Sequence, residues 1–195
     1  IHVMPPSLSP PPRRDLSPQR GRTQILFVGG DFERKGGPLV LECWRRHFAD
    51  RSDLHVVTKS PVAPEAGLHV HAGIAAGSSE WRCRWQEADV FVFPSTMETF
   101  GIVLLEALAF MVPVVSSRAG AAADILEEGR SGWLLAENDV EQLRIAIESA
   151  LSDSAEKRGR VERGRDRFEG RYALPGNAER MAALLQGAVA GRGHR

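Results

Sequence analysis

Short runs of consecutive apolar residues alternate with helix-like segments between residues 25 and 151, and this alternation limits the possible folds more than any other feature. The runs Ile25–Val28 and Val90–Phe93 are apolar throughout, and each stops at a residue that interrupts a strand, Gly29 or Pro94. A strand without a polar face is buried on both sides, as in a parallel sheet covered by helices. The sequence therefore predicts an α/β fold, with a Rossmann-like parallel sheet and helices on both faces.

The remaining elements follow from the same alternation. Further strands are predicted at 54–58, 68–71, 114–116 and 132–135, and helices at 38–48, 79–88, 101–111, 121–128 and 140–151, the last with Asp139 as its N-cap. We expect right-handed crossovers between the strands. Ligands of such sheets bind beyond the carboxyl ends of the strands, so the loops that follow the strands are where a site is expected.

Three regions are predicted along the chain. Residues 1–22 hold six prolines and four arginines, a composition typical of an extended linker, with a docking peptide as the alternative. Residues 23–154 form the Rossmann-like domain, and 155–195 form C-terminal helices with a basic tail. The Arg- and Glu-rich stretch 156–171 is predicted to be a solvated helix face; a membrane surface or an acidic partner is the alternative.

Charge and cysteine usage exclude several classes of protein. Lys plus Arg number 25, as do Asp plus Glu, so the zero net charge argues against a nucleic-acid binder. Cys43 and Cys83 form no CxxC pattern and are interpreted as free thiols in a reducing compartment, which predicts a cytoplasmic protein, free or peripheral to a membrane. No apolar run reaches ~18 residues, so no integral membrane segment is expected. His69 and His71 share a strand face, but two ligands are too few to predict a metal site.

The first motif with chemical content is the loop from Val28 to Gly37. It follows a strand and precedes a helix, so its amides and the helix N-terminus can receive an anion, and Lys35 can reach a phosphate as a point charge. The loop is not a phosphate-binding Walker loop, because Lys35 precedes Gly36 and no hydroxyl follows it. A turn without a ligand is the alternative.

The second motif runs from Phe93 to Ala107 and carries two carboxylates. Glu98 lies in a polar loop directly before a predicted helix, and Glu106 lies inside that helix in an apolar stretch. Carboxylates rarely occupy apolar faces without a partner, so the pair suggests hydrogen bonds to ligand hydroxyls, with helix N-terminal amides facing phosphate. The alternative is structural: a capping Glu98 and a salt-bridged Glu106.

These residues resemble the signature of retaining GT-B glycosyltransferases, the family called glycosyl transferases group 1. Glu98 and Glu106 form E-x7-E within Pro-Ser-x-x-Glu-Thr-Phe-Gly-Ile-Val-Leu-Leu-Glu-Ala. The resemblance continues, in family order, through segments 27–36, 88–92, 113–115 and 129–134. It identifies the chain as the C-terminal, nucleotide-sugar-binding half of a GT-B fold.

The resemblance also implies a role for each matching residue. Glu98 would be catalytic, contacting the donor sugar, and Glu106 would bind the ribose. The donor diphosphate would be held by Lys35, Gly30, Arg34, Phe100, Gly101, Ile102 and Val103, and the base would be lined by Gly73 and Ile74. The substrate would be a nucleoside-diphosphate sugar such as a UDP- or GDP-sugar, with no cofactor and no metal, because positive side chains and helix dipoles hold the diphosphate.

The sequence departs from the family pattern at three places. Gly30 stands where the family has an arginine, and Arg34 or Arg118 is expected to replace it. The family's Gly-Gly-x-Pro-Glu turn is replaced by small residues at 119–124. The amino-terminal GT-B domain, which binds the acceptor, is expected to be missing from this chain. The acceptor stays open between a glycan, a lipid and a small molecule, and a nucleotide-sugar epimerase or a non-catalytic binding remnant are the alternative functions.

Overall fold

The structure of the chain is a computed structural model that describes residues 4–15 and 21–190. Its centre is a six-stranded sheet in the order β3-β2-β1-β4-β5-β6. Every neighbouring pair of strands is parallel. The strands are β1 (Thr23–Val28), β2 (Ser52–Val57), β3 (Leu68–His71), β4 (Val90–Phe93), β5 (Val114–Ser116) and β6 (Trp133–Leu134). The predicted α/β class with a parallel sheet is confirmed.

The helices that join and flank these strands begin and end close to their predicted bounds. They are α1 (Gly37–His47), α2 (Ser79–Glu87), α3 (Ile102–Ala109), α4 (Ala122–Ile125), α5 (Val140–Leu151), α6 (Ala155–Arg171) and α7 (Leu174–Ala190). Asp139 caps α5 as predicted, accepting a 2.8 Å bond from the Gln142 amide. The helix predicted at 121–128 is shorter, because Glu127 and Glu128 adopt positive φ and form a 3-10 turn.

The centre of the sheet is buried on both faces, which explains the apolar runs of β1 and β4. Along β1, Ile25 and Phe27 pack into the core on one side, together with residues of α1 and α5. Leu26 and Val28 alternate with them and pack into the other core, with residues of α2, α3 and α6. Helices on both faces, the second half of the fold prediction, are therefore confirmed.

The strand order places a crevice next to β1. From β1 the chain proceeds outward to β2 and β3, then returns to β4 on the other side of β1 and continues to β5 and β6. The loops after β1 and β4 therefore diverge at the carboxyl edge of the sheet, which is where open α/β sheets bind ligands.

The described part of the proline-rich start, residues 4–15, forms no helix and no named strand, and it is attached to the domain. Leu8 donates to the Tyr172 carbonyl at 3.0 Å and accepts from the Leu174 amide at 2.9 Å, so it bridges the junction of α6 and α7. Arg13 forms ion pairs with Asp166 and Glu169 on α6. The parts of the predicted linker and basic tail at 1–3, 16–20 and 191–195 lie outside the described residues.

The arginines of α6 differ from the predicted solvated face. Arg165 is only 3% exposed and donates to the carbonyls of Ala109 and Pro11 as well as to Glu169. Arg167 likewise donates to the Ile125 carbonyl at 3.1 Å. The prediction was wrong for these side chains, because a charge-rich helix can lie against a domain when loop carbonyls accept from its guanidinium groups.

Within the described residues, no helix has both the length and the apolar character needed to cross a bilayer. In the same part of the chain no three metal-ligating side chains gather into a group that could hold an ion.

Candidate functional site

The loops that follow β1 and β4 touch at the carboxyl edge of the sheet. Gly36, the N-cap of α1, has a φ of 81°, and a Cβ atom there would lie 2.2 Å from the carbonyl oxygen of Pro94. A residue with a side chain would both clash and strain the backbone, so the contact requires glycine. The Thr96 amide and hydroxyl both donate to the Arg34 carbonyl, at 3.1 and 3.0 Å, and fix the two loops to each other.

This contact brings together the two charged residues that the sequence singled out. The Lys35 ammonium donates to the Glu98 carboxylate, and their side chains are 13% and 15% exposed. Glu98 also accepts from the Thr99 amide at 3.0 Å, and Lys35 lies 5.4 Å from the centre of the Phe93 ring. Burial by itself raises the pKa of Glu98, but Lys35 and the Thr99 amide outweigh it, so the net pKa is lowered. Glu98 is therefore an ionised, paired carboxylate that makes no cap to α3.

Helix α3 begins directly after this pair. Its N-cap is Gly101, at a φ of 95°, and no side chain caps it. Among the described residues, the amides of Phe100, Gly101, Ile102 and Val103 donate to no group outside their own helix. Uncapped amides at a helix N-terminus are hydrogen-bond donors with a partial positive charge, and they favour anions. The four residues predicted to meet phosphate therefore have free donors next to Lys35 and Glu98.

Glu106 lies one helix turn further along and has an unusual environment. Its carboxylate accepts a 3.0 Å hydrogen bond from the Trp81 indole, and no cation of the described residues pairs with it. Burial raises the pKa of Glu106 to about 7, and the bond from Trp81 offsets only part of that shift. The structural alternative of a salt-bridged Glu106 is therefore wrong. A half-buried carboxylate with one neutral donor retains free acceptor capacity.

A cleft of about 430 Å³ lies beside these residues. Three predicted site residues line it: Gly30, Gly73 and Ile74. Trp81 lines it as well and, through its indole, holds Glu106 at the same place. The other lining residues are Val28, Val57, Thr58, Lys59, Ala75 and Ala76. The cleft thus joins the loops after β1, β2 and β3 and is large enough for part of a small ligand.

The two arginines expected to replace the side chain missing at Gly30 are both paired with acids. Arg34 binds Asp31 at 3.1 Å and the Met97 carbonyl at 3.1 Å, so it bridges the loops after β1 and β4. Arg118 pairs with Glu128 at 2.8 Å. Neither is among the residues that line the cleft.

Two residues at this site were not predicted from the sequence. Trp81 lies in the helix predicted at 79–88 and was given no role at the site, although a tryptophan indole can donate to an unpartnered glutamate. Lys59 comes two residues after β2, and its position beyond the carboxyl end of a strand was the available signal. Both side chains enter the cleft from elements far from the two signature loops.

The sheet is parallel and has this crevice, with an ion pair at its edge and an uncapped helix beside it. This arrangement is that of a Rossmann-like half of a GT-B fold. The chain belongs to the family glycosyl transferases group 1, whose sequence pattern matches residues 22–153. Among curated relatives, it is 31% identical to a D-inositol 3-phosphate glycosyltransferase of Geodermatophilus obscurus over 216 residues. That alignment covers 92% of this chain and 46% of the relative, so the chain spans less than half of that relative's length.

Solved structures share the fold. The C-terminal domain of the glycosyl transferase group 1 family protein LpcC from Francisella tularensis aligns with a TM-score of 0.67 at 21% identity, covering 79% of this chain and 88% of that one. Anabaena HepE in complex with UDP-glucose aligns with a TM-score of 0.71 at 16% identity, covering 85% of this chain and 49% of that one. The predicted family and its C-terminal Rossmann-like half are confirmed.

Proposed function

We propose that this chain is the donor-binding half of a glycosyltransferase that transfers a sugar from a nucleoside diphosphate with retention of configuration. The observation that carries the proposal is the Lys35–Glu98 pair, held beside the uncapped start of α3 at the carboxyl edge of the sheet. Family membership and the UDP-glucose complex of a structural neighbour support a nucleotide-sugar donor.

The diphosphate is assigned to the space between Lys35 and α3. Lys35 supplies a full positive charge, and the amides of residues 100–103 supply donors without using a metal. In the structure the Lys35 ammonium is bound by Glu98. A phosphate oxygen would share or replace that partner, so Lys35 stays neutralised before and after the donor binds.

The sugar and the nucleoside are assigned to opposite sides of the diphosphate. Glu98 is ionised and faces Lys35, which places a fixed negative charge where positive charge would develop on the sugar during transfer. Glu106 would accept from the ribose hydroxyls, with Trp81 orienting its carboxylate. The base would lie along Gly73 and Ile74 in the cleft.

Calorimetry on this chain tests donor binding. UDP, GDP and ADP are titrated alongside the matching monophosphates and nucleosides. One diphosphate should bind most tightly, and Lys35→Ala should weaken it by about 1.5–3 kcal/mol, the value of a hydrogen bond to a charged group. Arg46→Ala is the control, because it removes an exposed cation paired with Glu42 on α1. An unchanged dissociation constant for Lys35→Ala would remove Lys35 from the site.

Transfer is proposed to need a second domain that binds the acceptor. Retaining transfer requires an acceptor hydroxyl held at the anomeric carbon with water excluded, and one wall of a cleft cannot do both. With radiolabelled sugar nucleotides and a membrane acceptor extract, this chain alone should give no labelled product. Transfer by the chain at about 1 per second or faster would contradict the proposal. In a protein carrying both halves, NMR of the product should show the donor's anomeric configuration.

A further inference from the structure

Among the described residues one cation lines the cleft, and it is not Lys35. Lys59 follows β2 and lines the cleft together with Gly30 and Trp81. Its amide donates to the Gly30 carbonyl at 3.3 Å, so the turn after β2 is attached to the loop after β1. Ser60 strengthens this attachment, because its hydroxyl accepts from the Phe32 amide at 3.1 Å. The backbone of Lys59 is therefore held in place at the edge of the cleft.

The Lys59 side chain extends over Gly30. A Cβ atom built at Gly30 would have one neighbour within 4 Å, the Lys59 Cδ at 4.0 Å. The absence of a side chain at Gly30 leaves room in the cleft, and the aliphatic part of Lys59 borders that room. Apart from the chain neighbour Asp31, Lys59 is thus the charged side chain that comes closest to the space at Gly30, and it follows a different strand.

Lys59 differs from the other cations near the site in its pairing. Lys35 is bound by Glu98, Arg34 by Asp31 and Arg118 by Glu128. Within the described residues, Lys59 forms no ion pair and no side-chain hydrogen bond. A nucleoside diphosphate carries more negative charge than one lysine can neutralise, and Lys35 is already shared with a carboxylate. The unpaired cation is the one whose charge is available to a ligand.

We infer that Lys59 is the second cation that binds the donor diphosphate, and that Arg34 instead fixes the loops after β1 and β4 to each other. This inference rests on the proposed function. It replaces the expectation from sequence that Arg34 or Arg118 takes this role. Lys59 follows β2 and α3 follows β4, and these strands lie on opposite sides of β1, so the diphosphate would be bound from both sides of β1.

The test compares Lys59→Ala, Arg34→Ala and the control Arg46→Ala in calorimetric titrations with the best-binding nucleoside diphosphate, its monophosphate and its nucleoside. We expect Lys59→Ala to weaken diphosphate binding at least about fivefold, as loss of a charge-assisted contact. Binding of the monophosphate should weaken less, and the nucleoside should be unaffected. Arg34→Ala should change diphosphate binding less than Lys59→Ala does.

A rescue variant makes the test specific for charge. Because the space at Gly30 is open, the double variant Gly30→Arg with Lys59→Ala should recover most of the lost affinity, whereas Gly30→Ala with Lys59→Ala should not. If the parent binds a diphosphate and Lys35→Ala weakens it while Lys59→Ala does not, the assignment of Lys59 is wrong and the proposed function stands. If the parent binds no nucleoside diphosphate, the proposed function itself fails.

Discussion

Helix α6 and the candidate site both contain charged side chains, and the two regions differ in how completely those charges are paired. On α6, Arg165 has a carboxylate and two backbone carbonyls as partners, and Arg167 pairs with Asp124 and Glu127 as well as with carbonyls. At the candidate site, Lys59 has no ionic partner among the described residues, and Glu106, next to the cleft, has the Trp81 indole as a single neutral donor.

This difference distinguishes charges that stabilise the fold from charges held for a ligand. A buried charge lowers stability unless its hydrogen-bonding capacity is used, and the α6 arginines use most of theirs. A half-buried carboxylate with spare acceptor capacity, such as Glu106, lowers the stability of the fold, and its contacts within the fold do not fully offset this loss. Removing a charge from α6 should therefore reduce stability, and removing one from the cleft should mainly reduce binding.

The largest effect is expected at Arg165. Arg165→Ala would remove the guanidinium donor from the Ala109 and Pro11 carbonyls and leave Glu169 paired with Arg13 alone, and should lower the free energy of unfolding by about 3 kcal/mol. Arg165→Met keeps the apolar stem and should lose nearly as much, since the lost hydrogen bonds dominate. Denaturant unfolding measures both, with Arg46→Ala as a control worth about 0.5 kcal/mol or less. Near-parental stability in both Arg165 variants would remove the contrast between α6 and the cleft.

A smaller effect is expected from the Lys35–Glu98 pair. A double-mutant cycle with Lys35→Met and Glu98→Gln should give a coupling free energy of about 1–2 kcal/mol in the unfolding of the ligand-free chain. The exposed Arg46–Glu42 pair should give about 0.3–0.5 kcal/mol in the same cycle. Saturation with the diphosphate should reduce the coupling of Lys35 to Glu98, because the ligand competes for the ammonium. A coupling that does not change with ligand would make this pair structural, like those of α6.

The sequence predicts most of the sheet and part of the site. The fully apolar run Val90–Phe93 located β4 to the residue, since a strand buried on both sides has no polar position that makes its ends ambiguous. The meeting of Lys35 with Glu98, 63 residues apart, follows only from the adjacency of β1 and β4, which no local pattern specifies. The Trp81–Glu106 bond and the position of Lys59 depend on how α2 and the turn after β2 pack, and long-range packing is not encoded in local periodicity.

The last prediction concerns Glu106, where stability and binding should change in opposite directions. Its pKa of about 7 in the fold exceeds the ordinary carboxyl value, so the folded state holds a proton that the unfolded state releases. The contribution of Glu106 to stability is therefore greatest at pH values below its unfolded-state pKa and declines as the pH rises towards 7. At pH 8 Glu106 is ionised in the folded protein, and its buried charge lowers the free energy of unfolding. Glu106→Gln removes that charge. At pH 8 the free energy of unfolding of the variant should exceed that of the parent by about 1 kcal/mol, and this difference should shrink as pH falls towards 4.5.

The same variant should lose most of the preference for a ribonucleoside over a 2′-deoxyribonucleoside diphosphate, because a neutral amide accepts more weakly than a carboxylate. Denaturant unfolding from pH 4.5 to 8 and paired titrations measure the two effects. A stability difference independent of pH, with the ribose preference intact, would place Glu106 with the structural charges of α6.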